Sequence, residues 1–441
     1  MIAGIRGYLF LMFTEMVSAI GSSLTTFVLA YWAWKTFDSP SAIAQVTMSF
    51  FLPMIVLSPL AGVLIDRWNR KAVFVVTNMI LVLILLLLTA LMASDQLQLW
   101  HIYVTAFFHS CCTTFRNPTL NATLGMMVDK EKMTRVNGLT QSLNATAFIC
   151  GPLIGAILMG LHGSATLLLI NAATFLISAV GALVVTIPSP PRSGIKLNVY
   201  KEIKTGAQFL WQKPTLVSLI ASSTVFNLFG SFLVVLLIPM SSTVWQYNPD
   251  ASVLLRMFEI VGRSSGNLLD AQISGTMQAV LFLGSISGGL LIASWGGFKE
   301  RIWNVVVALL LASAFEACVS VSNIWIAAVA LFFTGLAGPL YNATAQAIYL
   351  SKTPPELQGR VLSLISLLAQ LTYPVGLYIV SVLSDFLNPS QLLFGAGSLS
   401  FVCCTLFFIF SKVRYVDQEV PNHDVDNVSK QATEQRNVQA N

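Results

Sequence analysis

Charge is scarce in this sequence. Only 10% of its 441 residues are Asp, Glu, Lys or Arg, whereas soluble domains carry about 25%. That shortage excludes an ordinary soluble enzyme, a nucleic-acid binder and a disordered chain. The six cysteines lie in apolar stretches as Cys111-Cys112, Cys150, Cys318 and Cys403-Cys404, without metal-ligand spacing. No metal site, no cofactor and no disulfide framework are expected. Neither HExxH nor the phosphate-cradling G-x-x-x-x-G-K-[ST] occurs, so the chain is not expected to be an enzyme or to hydrolyse ATP itself. The opening MIAGIRGYLF lacks a small-residue cleavage site, and no removable signal peptide is expected.

What fills the chain instead is hydrocarbon. A bilayer-crossing helix needs about 20 mostly apolar residues. About twelve such runs centre on 8–33, 43–65, 72–93, 99–125, 136–160, 164–187, 215–240, 273–295, 302–321, 324–350, 361–383 and 391–411. A run such as LVLILLLLTALM (81–92) does not alternate as a barrel strand would. The runs therefore predict helices, because lipid leaves the backbone no partner but itself. The fold class expected is all-α integral membrane, with twelve transmembrane helices in two six-helix pseudo-symmetric halves. The halves are 1–187 and 215–412, joined by a basic cytoplasmic linker, 188–214, and followed by a polar, disordered tail, 413–441. With the N-terminus placed in the cytoplasm, 20 of the 24 Lys and Arg fall on inside segments and three (Lys35, Arg256, Arg263) on outside ones. Arg116 lies within the fourth run. The positive-inside rule then puts both termini in the cytoplasm.

Half the chain repeats. Pro118-Thr-Leu-Asn121-Ala122-Thr123 recurs 221 residues later as Pro339-Leu-Tyr-Asn342-Ala343-Thr344. Each copy sits late in a run, the fourth or the tenth, and a basic loop follows. Six runs, a linker and six runs is a parallel-repeat transporter arrangement.

The loop after the second run reads Gly62-Val-Leu-Ile-Asp66-Arg67-Trp68-Asn69-Arg70-Lys71. It resembles the major facilitator superfamily signature G-x-x-x-D-R-x-G-R-K, with Asn69 where the family prefers Gly. Gly62 allows close helix approach, and Asp66 can cap a helix or pair with an Arg. Gly62, Asp66, Arg67, Arg70 and Lys71 are the candidate conformational latch. The corresponding loop of the second half, Trp295-Gly-Gly-Phe-Lys-Glu-Arg301, lacks the Asp, so the latch is expected to be asymmetric. The fifth run carries Gly138, Ala147 and Gly151-Pro152-Leu-Ile-Gly155-Ala156. This is similar to the family's antiporter signature, with Ala147 and Ala156 replacing two glycines. Gly138, Gly151, Pro152 and Gly155 are taken as that helix motif.

The resemblance covers residues 8–411 and is strongest to the bacterial drug-exporter branch that includes macrolide efflux proteins and enterobactin-type siderophore exporters. The segments that carry it are GVLIDRWNRK, FRNPTLNATLGMMVDKEKMTRVNGLTQSL and LQGRVLSLISLLAQLTYPVGL. It implies two six-helix halves around a cavity, alternating access and proton-coupled export across a bacterial inner membrane. In the fourth run the family has a buried Arg where this chain has His109, nine residues before Pro118.

Three side chains are candidates for coupling protons. An ionised carboxylate costs about 2.5–3.5 kcal/mol or more in a span, so Glu15 is expected to shed its charge when buried and regain it when wetted. His109 and Arg116 share one face of the fourth helix with Thr105 and Cys112. His109 can change charge near neutral pH. Arg116 can pair with an acid or snorkel. Glu316 in the ninth run is expected to be structural. Ser18, Ser22 and Thr25 extend a polar stripe from Glu15. With Tyr31, Gln141, Asn144, Asn227, Asn342, Gln346 and Tyr373 they are the cavity candidates, and Asn137, Phe27, Phe108, Phe226 and Tyr341 join them. An aromatic cavity with few fixed charges suits a bulky amphipathic cargo. The partners expected are a small-molecule substrate, protons and the lipid bilayer, with no nucleic acid, and the chain is expected to be a monomer. A lipid flippase, an uptake facilitator and a non-transporting sensor are the alternatives.

Overall fold

The computed structural model describes residues 3–65, 68–128, 130–188, 207–257 and 269–410. The linker residues 189–206, the loop 258–268 and the tail 411–441 lie outside them. The architecture is all-α. The first half has α1 (Gly4–Phe37), α2 (Pro40–Ile65), α3 (Arg70–Ala93) and α4 (Leu99–Met127). A 55-residue run, Lys130–Val184, follows. Gly163 breaks it with φ 76° and ψ 162°, a conformation open only to glycine. The arms on either side are α5 (130–162) and α6 (164–184). The second half has α7 (Pro214–Thr243), α8 (Leu269–Trp295), α9 (Arg301–Cys318), α10 (Ile324–Lys352), α11 (Pro355–Leu383) and α12 (Pro389–Phe410). A 3₁₀ turn, Trp245–Tyr247, and a short helix, Ala251–Met257, follow α7.

Among the described residues, ten helices or helix runs are long and apolar enough to cross a bilayer, with Cys150–Val184 counted once across its kink. The helix not among them is α4, which carries His101, His109 and Arg116. Several helices outrun the predicted spans. The 34 residues of α1 extend about 50 Å, against a hydrocarbon core of about 30 Å, so its ends reach the polar interface.

Turns between the helices are short and made by residues suited to them. Asp38 ends α1 in the left-handed region at φ 47°. The Asn69 side chain accepts from the Ala72 amide and starts α3. The Asn323 side chain accepts from the amides of Trp325 and Ile326 and starts α10. The two asparagines satisfy backbone donors that a helix start leaves unpaired.

Small residues set how closely the helices approach. A Cβ on Gly284, Gly288 or Gly335 would lie 2.0, 2.1 or 1.9 Å from the carbonyl oxygen of Phe332, Leu336 or Leu281. Thus α8 and α10 meet backbone to backbone, with Gly284 and Gly288 one turn apart. Similarly, Gly151 and Gly155 receive Ser23, Leu24 and Phe27 of α1, while Gly181 of α6 receives Thr14.

Among the described residues one apolar core joins the two halves, at one end. At the end bearing the 38–39 and 94–98 turns, a single apolar core runs through both halves and includes Phe27, Tyr31, Trp34, Ala156, Phe232, Leu236, Ile273 and Leu392. At the opposite end the described residues form separate cores. One, around Tyr8, Leu11, Phe74 and Leu124, belongs to the first half. The other, around Leu216, Ile302, Tyr341 and Ile348, belongs to the second. Replacing Gly335 with Leu should therefore destabilise the protein by about 1–3 kcal/mol or more, the usual cost of overpacking. A lower thermal midpoint in detergent, with weakened elution as a single species, is the expected result.

Candidate functional site

Four helices of the first half converge on one polar ring. Glu15 comes from α1, Asn78 from α3, Arg116 from α4 and Ser178 from α6. Arg116 Nε lies 3.1 Å from Glu15 Oε2. Arg116 Nη1 donates to Asn78 Oδ1 at 3.0 Å. Asn78 Nδ2 donates to Ser178 Oγ at 2.9 Å, and the Ser178 hydroxyl donates to Glu15 Oε1. Glu15 and Arg116 are 7% and 5% exposed, and Asn78 and Ser178 are fully buried. The guanidinium also stands 5.4 Å from the centre of the Phe175 ring, a cation–π arrangement that partly replaces lost hydration.

Local sequence explains why these side chains reach one another. The carboxyl can meet α6 only if α1 and α6 are close. A Cβ at Gly181 would lie 2.8 Å from Thr14 Oγ1, and one at Gly21 would lie 2.3 Å from Asn171 Oδ1. These two glycines flank the Glu15–Ser178 contact along the helices. Asn171 Nδ2 donates to Thr25 Oγ1 at 2.7 Å and closes the same interface further along. The other hydroxyls of the expected stripe turn back on their own helix. Ser18 donates to the Glu15 carbonyl at 3.0 Å and Ser22 to the Ser18 carbonyl at 2.9 Å.

His109 stands outside the ring. Its imidazole meets Phe50 edge-on at 5.4 Å and Phe175 at 6.2 Å. Phe175 thus touches both His109 and Arg116. Around Glu316 of α9, a Ser313–Ser400 hydrogen bond of 2.8 Å ties α9 to α12; Glu316 is buried.

A second polar constellation spans the seam between the halves, at their joined end. Tyr31 donates to Asp270 Oδ1 at 2.9 Å, and Lys35 Nζ lies 2.8 Å from Asp270 Oδ2. Asp270 opens α8 and is 3% exposed, while Lys35 is 46% exposed. Across the other side of the seam, Ser41 of α2 and Ser381 of α11 share a hydrogen bond of 2.6 Å. Gln45 donates to Ser41 at 3.0 Å and accepts from Tyr103 of α4. Phe51 packs on Tyr373 with ring centres 4.4 Å apart. Where α5 meets α8, a Cβ on Gly275 would lie 2.7 Å from Ala156 Cβ and 3.0 Å from the Pro152 carbonyl oxygen. The small residues of the α5 motif therefore serve two contacts. Gly151 and Gly155 admit α1, while Pro152 and Ala156 admit α8 of the other half.

The loop motif is placed in part. Asp66 and Arg67 lie outside the described residues, as do the surroundings of Gly62, Asn137, Gly138, Gln141 and Asn144. Arg70 is buried and reaches Met126 of α4. Lys71 Nζ donates to the carbonyls of Leu183 and Val185 at 2.5 and 3.2 Å, capping the end of α6. In the second half, Asn227 donates to the Ser223 carbonyl of its own helix at 2.9 Å. Tyr341 hydrogen-bonds Ser222 and Ser223 and stacks on Phe226. Asn342 and Gln346 are exposed along α10, and Phe108 is exposed on α4.

Sequence reasoning did not single out Asn78, Ser178, Ser41 or Asp270. An amide in the middle of the apolar α3 was the available signal for Asn78. For Asp270 there was none, since it read as a loop residue.

Residues 11–263 and 257–435 match the sequence model of the Major Facilitator Superfamily. Over 408 residues the chain is 23% identical to Macrolide efflux protein A of Streptococcus pyogenes, covering 91% of this chain and 95% of that protein. Over 332 residues it is 26% identical to Macrolide efflux protein A of Enterococcus faecalis, covering 74% and 96%. Its fold is similar to that of the nucleoside transporter NupG, with a TM-score of 0.68 at 14% identity over 92% of this chain and 99% of that one. The chain belongs to the major facilitator superfamily. It is a membrane-embedded transporter of small molecules and not an enzyme.

The ring geometry sets a test of coupling. Arg116→Ala leaves a buried carboxyl without its cation, at a cost of about 3–5 kcal/mol. The double variant Glu15→Gln/Arg116→Ala should be more stable than Arg116→Ala alone. Thermal unfolding of the four members of this cycle in detergent gives the sign directly.

Proposed function

We propose that this transporter exports an amphipathic small molecule from a bacterial cell in exchange for protons, by alternating access. The observation that carries the reading is the buried Glu15–Arg116 pair. Sequence alone predicts a buried Glu15 without charge; beside the Arg116 guanidinium the sealed carboxylate instead holds its charge, and wetted and protonated it releases the guanidinium and returns neutral. One side chain thereby has two states with different partners, which is what coupling a proton to a conformational change requires. The macrolide efflux proteins to which the chain is similar support the cargo class, a macrolide-like drug, with a siderophore as the other bulky amphipath. The membrane is the bacterial plasma membrane, and the working unit is the monomer.

The excess of Lys and Arg supports cytoplasmic N- and C-termini. In that orientation the joined end of the halves faces outward, and the parted end faces the cytoplasm. The conformation is then inward-facing. Tyr31 and Lys35 on Asp270, with Ser41 on Ser381, form the outer gate. Cargo enters from the cytoplasm between the separate cores, beside Asn342, Gln346 and Phe226, while Tyr341, a cavity candidate by sequence, lies buried behind Phe226. For release outward, the seam contacts break and the cytoplasmic ends close. Energy comes from the gradient, about 1.4 kcal/mol per pH unit and about 2.3 kcal/mol per charge per 100 mV.

Purified protein in liposomes under an imposed pH gradient tests the reading. Macrolides and siderophores are added while lumenal pH is followed, wild type beside Glu15→Gln. Cargo-triggered proton movement that the variant loses is the expected result. Cargo that equilibrates without proton movement would instead establish a facilitator or flippase. The gate has its own test in a Ser41→Cys/Ser381→Cys variant. The hydroxyls are 2.6 Å apart, so a disulfide should form with little rearrangement. Transport should fall at least tenfold on oxidation and return on reduction.

A further inference from the structure

Asn78 is a fully buried amide in a helix that is otherwise apolar around it. Its two ends are not interchangeable. Arginine donates hydrogen bonds and accepts none, so the atom facing Arg116 must be the carbonyl oxygen Oδ1. The nitrogen end then faces Ser178, and its N–H occupies one lone pair of the Ser178 oxygen. Ser178 has one proton of its own, and it points to Glu15 Oε1. Glu15 Oε2 faces Arg116 Nε. Around the ring, the Ser178 hydroxyl offers the carboxyl a hydrogen, and Arg116 offers it a positive charge at 3.1 Å without an aligned hydrogen bond. That arrangement fits an ionised Glu15. A proton on Oε1 would need the Ser178 hydroxyl to turn its hydrogen away and accept on the one lone pair that Asn78 leaves free, and a proton on Oε2 would face the guanidinium.

We infer that Asn78 is a positioning residue that biases the ring toward the ionised form of Glu15, by occupying one of the two lone pairs of Ser178 and so favouring donation of its hydrogen to Glu15. Asn78 thereby sets the pH at which the transporter takes up its coupling proton. The inference rests on the proposal that Glu15 carries that proton.

Few other titratable groups face Glu15. The sequences of α2, α6 and α7 contain none. Helix α3 offers Arg70 and Lys71 at its start, two turns from Asn78. On α4, Arg116 is the facing charge, with His109 beyond the Phe175 ring and Cys111 and Cys112 between them in sequence. On α1 itself Tyr8 lies two turns away. Helix α5 has Lys130, Glu131, Lys132 and Arg135 at its start, and Cys150 and His162 further along. Protonation of Glu15 is thus governed chiefly by Arg116 and by the ring that Asn78 completes.

Infrared difference spectra of the purified full-length protein, titrated with pH, read the protonated carboxyl without needing the cargo. The part of that band lost in Glu15→Gln belongs to Glu15. In Ser178→Ala and in the near-isosteric Asn78→Leu, the pH at which the band grows in should rise by about one to two units, the loss of one hydrogen bond to a charged group. Ser178→Thr keeps the hydroxyl and should follow the wild type. Ser178→Ala carries the test if Asn78→Leu does not fold. An unmoved profile in a folded variant, with the Glu15 band present, overturns the role of Asn78 and leaves the Glu15 proposal standing. If Glu15→Gln removes no titrating band, Glu15 is not the proton carrier, and both fall.

Discussion

A guanidinium and a carboxylate held out of water inside a six-helix bundle are the demand that much of the first half is arranged to meet. Taking either charge from water costs several kcal/mol, and attraction alone offsets that only when the remaining donors and acceptors are also satisfied. Here Asn78 accepts from Arg116 Nη1, Ser178 donates to Glu15, and Phe175 lays an aromatic face on the cation. Each of these needs its helix close at hand. Gly181 and Gly21 bring α6 onto α1, and Lys71 fastens the end of α6 through its carbonyls. The signature loop, read as a topological or latching device, thus also helps fix the helix that presents Ser178.

The halves share a topology but not a chemistry. The crossing of α1 and α4 holds an ion pair, whereas the equivalent crossing of α7 and α10 holds neutral hydroxyls, with Tyr341 bonded to Ser222 and Ser223. Neutral groups at that crossing carry no charge to exchange, and they place a stacked Phe226–Tyr341 pair on that side. At this crossing one half therefore buries a charge pair where the other buries only neutral groups. The seam spans the division. Asp270 is contributed by the second half, but its partners Tyr31 and Lys35 come from the helix that also carries Glu15.

The spans were legible because lipid imposes one length and one composition on every crossing, and such runs survive inspection without any knowledge of contacts. Glu15 was legible for the same reason, since a carboxyl in an apolar run is costly wherever it points. Its partner was harder. Arg116 read equally well as a snorkelling cation, and only the packing of α4 against α1 aims it inward. Asn78 was illegible because a single amide in an apolar helix gains meaning from three other helices. His109 stood out through the resemblance to a family with a buried Arg in this region, yet in the structure it rests on aromatic edges rather than in the ring. Asp270 looked like a solvated loop acid until α8 began one residue before it. Periodicity reveals which faces are apolar; it does not reveal which polar atoms those faces bring together.

Gly163 joins α5 to α6 through a single residue in a backbone conformation that only glycine adopts. There is no loop there to absorb displacement. Through Pro152 and Ala156, α5 bears directly on α8 of the other half, and through Ser178, α6 bears directly on Glu15. A tilt of α5 at the seam is therefore transmitted as torque on α6, with the glycine as fulcrum. The junction is a one-residue pivot between the seam that α5 makes with the other half and the helix that presents Ser178 to the carboxylate.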